Sequence, residues 1–224
     1  MRSVSTVKTA EALRSISLDP FVLELLASRI CHDLISPVGA VHNGVEFLEE
    51  MGVAAGEEAV GLIAHSAAMA AAKLQIFRLA YGAGGRDPNI KPDDVYKAFG
   101  NLVDADAKIK QDWDPHGIDR DAFPDGFCKM LTGGMMLAQE SLPKGGTIRV
   151  EQPDAKAIHV IAEGPDAAPR SQFREALERS IAPADLDPRL VHPYTLSVLA
   201  EQYGFVYTIR GQEDNRVTYR LEVR

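Results

Sequence analysis

The chain has 224 residues and a formal net charge of −8, from 24 basic and 32 acidic residues. This length allows one large domain or two small ones, and the acidic balance argues against a nucleic-acid-binding protein, which usually carries a basic face. No apolar run is as long as a membrane span, and residues 1–20 lack the apolar segment of a secretory signal. Cys31 and Cys128 match no metal-site spacing. We therefore expect a cytoplasmic protein with reduced thiols, no metal and no membrane partner.

The first predicted element is a long helix over residues 19 to about 52. Ser17 and Asp19 are candidate N-caps, and Pro20 suits the first turn. Apolar residues then recur every three or four positions and form one stripe: Leu23, Ala27, Ile30, Leu34, Val38, Val41, Val45 and Leu48.

A second helix is predicted over about residues 56–82, after the turn sequence GVAAGE. A narrow apolar seam runs along it: Ile63, Ala67, Ala70, Leu74, Phe77 and Tyr81. The short connection predicts an antiparallel helical hairpin. Because a lone hairpin buries only one side of each helix, we expect two hairpins to pair as a four-helix bundle in a homodimer.

A linker is predicted at GAGGRDPN, residues 82–89. It divides the chain into a helical hairpin domain, 1–83, and a second domain, 84–224. The second domain has four predicted helices and five predicted strands, the last four as two hairpins, and this mixture predicts a two-layer α/β sandwich. The helices are predicted over 92–104, 125–141, 171–180 and 188–203, and the strands at KIKQDW, TIRVEQ, KAIHVIAEG, FVYTIRG and RVTYRLEV.

Candidate catalytic residues cluster on the first helix. At 100° per residue, His32 falls about 160° from Leu34 at the stripe centre, so we expect it to face solvent. Asp33 follows directly and can polarise the imidazole, and Arg29 lies within one turn of both. Pro37 removes the helical bond to the carbonyl of Asp33, at a cost of about 3 kcal/mol. A lone histidine on a helix is usually a solvated surface residue, but a helix breaker beside an exposed His–Asp pair indicates a functional site.

Small residues form a strip below His32 on the same outward side: Ser36, Gly39, Ala40 and Asn43. Gly39 is a poor helix former, and a solvated face would more often carry Lys, Glu or Gln. A bare strip allows another helix to approach closely, so we interpret it as a docking surface for a partner protein. A loosely selected surface is the alternative.

A family resemblance follows from these residues. His32, Asp33, Leu34 and Pro37 match H-D/E-L-x-x-P, the phospho-acceptor box of sensor histidine kinases. The predicted hairpin and sandwich resemble the two-domain kinase core over nearly the whole chain. The segment RICHDLISPVGAVHNGVEFLEE more specifically resembles ChpT-type histidine phosphotransferases of alphaproteobacterial phosphorelays.

The resemblance implies a function. His32 is expected to accept a phosphoryl group from the receiver domain of a hybrid histidine kinase and to pass it to the receiver domains of cell-cycle response regulators. Asp33 is expected to orient the ring, and Arg29 to offset phosphoryl charge. Mg²⁺ is expected to come with the receiver, and the second domain to help hold it.

The second domain resembles a kinase ATP domain that has lost its nucleotide residues. Residues 145–148 match the kinase Gly-Gly-Thr-Ile strand, but the positions of the two preceding asparagines hold Gly133 and Leu137. Neither side chain offers the oxygen ligands that Mg²⁺ needs. Ala162 replaces the adenine-binding aspartate, and residues 189–204 contain no glycine-rich lid. We therefore expect neither ATP nor another cofactor.

Two rival functions stay open at this point. One is an active ATP-dependent histidine kinase, and the other is a non-catalytic dimeric scaffold in which His32 is incidental. The histidines of the second domain, His116, His159 and His192, have no comparable setting and are expected to be structural.

Overall fold

A computed structural model of the protein describes residues 19–52, 56–83, 89–106, 108–213 and 215–224. Two long helices come first, α1 (Pro20–Met51) and α2 (Gly56–Ala80). Asp19 caps α1 because its carboxylate accepts a hydrogen bond from the backbone N–H of Phe21 at 2.8 Å, which confirms one of the two predicted caps. The other candidate, Ser17, and the segment tested for a secretory signal lie outside the described residues.

The face of α1 that packs on α2 is centred beside the predicted stripe, not on it. Pro37 and Gly44 are buried, and a Cβ at Gly44 would lie 2.6 Å from Cγ1 of Ile63 in α2. At 100° per residue, this face lies about 60–80° around the helix from Leu34. Val38, in the predicted stripe, is 55% exposed. The apolar periodicity predicted the helix correctly, but part of the stripe is not covered by any of the residues that the structure describes.

The α/β region follows the predicted order, except that the helix predicted over 171–180 is only five residues long. Left-handed backbone angles at Gln172 (φ 64°) and Arg179 (φ 55°) limit that helix. Single-turn 3₁₀ helices were not predicted; they lie at Pro115–Gly117, Arg120–Ala122 and Pro183–Asp185. The main elements are α3 (Pro92–Asp106), β1 (Ile109–Gln111), α4 (Phe127–Glu140), β2 (Gly146–Asp154), β3 (Ala157–Glu163), α5 (Phe173–Leu177), α6 (Val191–Gln202), β4 (Phe205–Glu213) and β5 (Arg216–Val223).

The strands form a five-stranded sheet in the order β1-β2-β3-β5-β4. β1 runs parallel to β2, and the other neighbouring pairs are antiparallel. Helix α4 packs on β2, β3 and β5, while α6 packs on β4. On the opposite face, Glu163 accepts ion pairs from Arg149 and Arg216, each at 3.4 Å. The region is therefore a two-layer α/β sandwich, as predicted, and the sheet face away from the helices carries polar side chains.

The hairpin packs against this sandwich, α2 on α3 and α4 and α1 on α6. Tyr81, just beyond α2, donates its hydroxyl proton to Nδ1 of His192 at 2.5 Å, and Nε2 of the same ring donates to the carbonyl of Gly133 at 3.1 Å. Burial lowers the pKa of His192 to about 3, so the ring stays neutral. His192 therefore links the two regions, which confirms its structural role.

Helix α2 is long and apolar enough to cross a membrane by length and composition alone. In the structure, 22% of its most apolar window is buried in the protein. The expectation concerned uninterrupted apolar runs, and His65, Ser66 and Lys73 interrupt the apolar residues of this helix. Eight of the helix's 25 residues are alanine, and alanine raises mean hydropathy without forming an obvious run of large side chains.

Candidate functional site

His32 lies on the solvent side of α1, and its side chain is 90% exposed. Its Nδ1 atom is 3.5 Å from Oδ1 of Asp33, whose own side chain is 34% exposed. A carboxylate beside Nδ1 favours the tautomer with the proton on that nitrogen. The Nε2 lone pair is then available as a nucleophile at an open surface.

The carbonyl of Asp33 has an unusual hydrogen-bond partner. Pro37 lies four residues later and has no N–H to donate. Lys73 of α2 donates instead, with its Nζ 2.9 Å from the Asp33 carbonyl oxygen. Pro37 itself is buried. Pro37 therefore does not end α1. The hydrogen bond that the Asp33 carbonyl would accept from a main-chain N–H at position 37 is replaced by the one from Lys73 of α2.

Arg29 extends to the second domain. Its guanidinium pairs with Glu140 at the end of α4 and donates to the carbonyl of Arg189 at 3.3 Å. Arg170 is also 3.7 Å from Glu140. Burial raises the pKa of Glu140, and the two arginines oppose this shift. Arg29 therefore ties α1 to the sandwich, a role that the sequence did not indicate.

His32 and Asp33 border an open cleft of about 970 Å³ between the hairpin and the sandwich. The lining is charged as well as apolar. Its basic residues come from five places in the chain: Arg29, Lys73, Lys108, Arg170 and Arg189. Only Arg29 was predicted among them, because the others carry no motif and meet only through the fold. Three acidic residues, Asp33, Glu140 and Asp166, also line the cleft, so basic side chains outnumber acidic ones by five to three, a balance suited to an anionic group.

The predicted docking strip runs along α1 next to His32. Ser36 and Asn43 are exposed, while Gly39 and Ala40 are half-buried. A Cβ at Gly39 would meet nothing within 4 Å, so the space above it is open. Ile35 beside the strip is 69% exposed, and the sequence reasoning missed it.

The positions that replace the kinase asparagines and aspartate are filled with packing contacts. A Cβ at Gly133 would lie 2.3 Å from Cδ1 of Leu196 in α6. Leu137 and Ala162 are fully buried. Within the described residues, no group of three or more His, Cys, Asp or Glu side chains is arranged to hold a metal ion.

Comparison with known proteins gives the family. A model of the histidine phosphotransferase C-terminal domain matches residues 92–215. The chain belongs to the histidine phosphotransferase family. This family member is 35% identical over 198 residues to protein phosphotransferase ChpT of Brucella abortus (strain 2308), across 86% of this chain and 91% of that protein. The resemblance to ChpT-type phosphotransferases is thereby confirmed.

Solved structures agree with this family. A bacterial phosphotransferase solved at 1.7 Å superposes with a TM-score of 0.71 and 28% identity, covering 92% of this histidine phosphotransferase and 98% of the other chain. The Acinetobacter baumannii histidine kinase AdeS gives a TM-score of 0.46 at 11% identity. That score is too low to support a conclusion about fold or function.

Proposed function

We propose that this protein is a histidine phosphotransferase that carries a phosphoryl group on His32. The observation that carries the proposal is the exposed His32 beside Asp33, in a chain of this family. The donor is the phosphorylated aspartate of a receiver domain in a hybrid histidine kinase. The acceptors are the receiver aspartates of response regulators, including those that control the cell cycle.

The transfer follows from the chemistry of the pair. The Nε2 lone pair of neutral His32 attacks phosphorus in line, and the bond from phosphorus to the receiver's acyl oxygen breaks. The leaving carboxylate keeps that electron pair. The ring then carries a positive charge, which Asp33 offsets beside the Nδ1 proton. In the second transfer, an aspartate of another receiver attacks phosphorus, and the P–N electrons return to Nε2.

Mg²⁺ belongs to the receiver in this proposal. Asp33 is the carboxylate beside His32, and Mg²⁺ sites need several oxygen ligands. The receiver therefore supplies both the metal and the phosphoryl group. Ser36, Gly39, Ala40 and Asn43 form the surface on which it docks.

The sandwich does not bind ATP in this proposal. Support comes from the contact of Gly133 with Leu196 and from the burial of Leu137, because neither position offers an oxygen ligand for the Mg²⁺ that accompanies ATP. Calorimetry with Mg-ATP should give no heat at micromolar affinity. Saturable micromolar binding would revive the alternative of an ATP-dependent kinase.

The functional unit is a homodimer in this proposal. Leu23 and Val38 on α1 and Leu74 on α2 are each more than half exposed, and exposed apolar area of this kind marks association surfaces. A second hairpin would cover them as a four-helix bundle. The same cover would explain the apolar surface of α2 without a membrane, as expected of a cytoplasmic phosphorelay protein.

The decisive experiment mixes the protein with a receiver domain that has been phosphorylated on its aspartate. Acid-labile phosphate should appear on the wild type and be absent from His32→Ala. His42→Ala is the matched control, because His42 is another exposed histidine of α1, paired with Glu46 at 3.4 Å; it should be phosphorylated normally. Phosphate on His32→Ala would refute the assignment of His32, and no phosphate on the wild type would favour the scaffold.

A further inference from the structure

The bond between Lys73 and Asp33 gives a role to a residue outside the phospho-acceptor box. A main-chain N–H four residues later normally satisfies a helical carbonyl. Pro37 cannot supply that donor to Asp33. The Lys73 ammonium supplies it across the hairpin at 2.9 Å. The proline therefore creates a vacant acceptor at the residue that contacts His32, and α2 fills it.

The groups near this bond define the role that Lys73 can take in the cleft. Arg29, His32 and Asp33 line the same cleft as Lys73. Arg29 is taken up by Glu140 and the carbonyl of Arg189. Lys73 is half-buried and is held by a main-chain atom. Its bond fixes the backbone from which the Asp33 carboxylate reaches Nδ1 of His32.

We propose that Lys73 is a positioning residue for phosphoryl transfer. By holding the carbonyl that Pro37 leaves free, it sets the Asp33 carboxylate against Nδ1 of His32. That carboxylate keeps the ring proton on Nδ1 and leaves Nε2 as the nucleophile. Lys73 acts through Asp33 and need not touch the phosphoryl group. This inference rests on the proposed function of His32.

The first test replaces Lys73 with Met, which keeps a long apolar stem and removes the donor. The maximal transfer rate from a phosphorylated receiver should fall about tenfold, because small misplacements are costly in an aligned displacement. The KM for the receiver should not change. Lys73→Arg, which retains a donor, should recover most of the rate. Lys97→Met is the control, since Lys97 is exposed on α3 and pairs with Asp93, away from Asp33.

The sharper test is a double-mutant cycle with Pro37→Ala. Alanine restores the main-chain N–H for the Asp33 carbonyl, so Lys73 becomes dispensable in that background. Lys73→Met should then change the rate by less than twofold, against about tenfold in the wild-type background. An equal loss in both backgrounds would overturn the proposal, because Lys73 would then act independently of that carbonyl.

Nitrogen NMR of labelled histidines tests the positioning without any transfer. The fraction of His32 with its proton on Nδ1 should fall in Lys73→Met and recover in Lys73→Arg. An unchanged tautomer ratio would overturn the proposal even if transfer slowed. Failure of the proposed function would look different, since wild type and His32→Ala would then be equally inactive while the tautomer measurement would still report on Lys73.

Discussion

The hairpin and the sandwich differ in how completely they bury their apolar residues. Within the described residues, all ten large hydrophobic side chains that remain exposed lie on α1 or α2. The sandwich core includes Phe127, Leu137 and Tyr219, each fully buried, and it is continuous with Ile76 and Phe77 of α2. No large hydrophobic side chain in the described part of the sandwich is exposed, whereas the hairpin leaves apolar surface of the kind that marks association sites.

The chemistry is divided in the same way. His32 and Asp33 lie on the hairpin, and the sandwich contributes Glu140 and Arg170 to the lining of the cleft. In the sandwich, Gly133 of α4 packs against Leu196 of α6. In the proposed function, the reactive histidine therefore lies on the region where partners dock, and the α/β region acts as a support.

The largest expected effect comes from one substitution made in each region. Leu137→Asp puts an unpaired charge into the closed core and should cost several kcal/mol, enough to abolish cooperative folding in a protein of ordinary stability. Leu74→Asp changes a side chain that is 53% exposed. It should leave the sandwich folded and convert dimers into monomers.

Thermal melts by circular dichroism and mass by light scattering measure the two outcomes. Leu34 is less informative than Leu74, because it is half-buried against the core of its own chain. A dimer mass retained by Leu74→Asp would mean that this part of α2 is not the interface. An equal loss of thermal stability in Leu137→Asp and Leu74→Asp would contradict the difference in burial between the sandwich and the hairpin.

A smaller effect is expected on the docking strip. Gly39→Leu adds bulk where a Cβ now meets nothing within 4 Å, and leucine is the better helix former by about 0.8 kcal/mol. A receiver helix would be held away from His32, and a displacement of about 1 Å should slow transfer roughly 100-fold. The initial rate of phosphoryl transfer measures this, with dimer mass and helix content as controls. A wild-type rate would mean that receivers dock elsewhere.

The smallest effect tests the junction between the regions. His192 stays neutral in the folded protein because burial lowers its pKa to about 3, whereas in the unfolded chain its pKa is about 6.5. The unfolded state therefore binds the proton first, and stability falls as the pH drops below 6.5. From pH 7 to pH 5 this group should lower the unfolding free energy by about 2 kcal/mol.

Urea titrations at the two pH values measure that loss. The His192→Gln variant should lose this part of the pH dependence, whatever its absolute stability. His42→Gln should keep it, because His42 is exposed on α1. The same pH dependence in wild type and His192→Gln would show that the ring does not control acid sensitivity at the junction.

The local sequence pattern predicted the helices and strands well, but it predicted poorly the contacts between residues far apart in the sequence. The repeat of apolar residues gave α1 and α2, and alternation with turn residues gave the paired strands. The exposure of His32 followed from its angle to Leu34, because both lie on one regular helix. The direction of helix packing did not follow, since Pro37 and Gly44 have little apolar side chain to mark a contact face.

The contacts of the site that the sequence did not predict join residues far apart along the chain. Arg29 meets Glu140 across 111 residues, and Lys73 meets the Asp33 carbonyl across 40. Neither partnership leaves a local signature, because each side chain alone reads as a charged surface residue. The absence of an N–H at Pro37 was the available signal, since an unpaired helical carbonyl needs another donor.

The links from Arg29 to Glu140 and from Tyr81 to His192 also have an entropic consequence. They fix the hairpin and the sandwich in one arrangement before any partner arrives. A receiver that touches both regions then meets two surfaces whose mutual freedom was lost during folding, so binding need not restrict it again. Weakening either link should leave each surface chemically intact and still lower the affinity for a receiver, because the hairpin and the sandwich would then move relative to each other in the free protein.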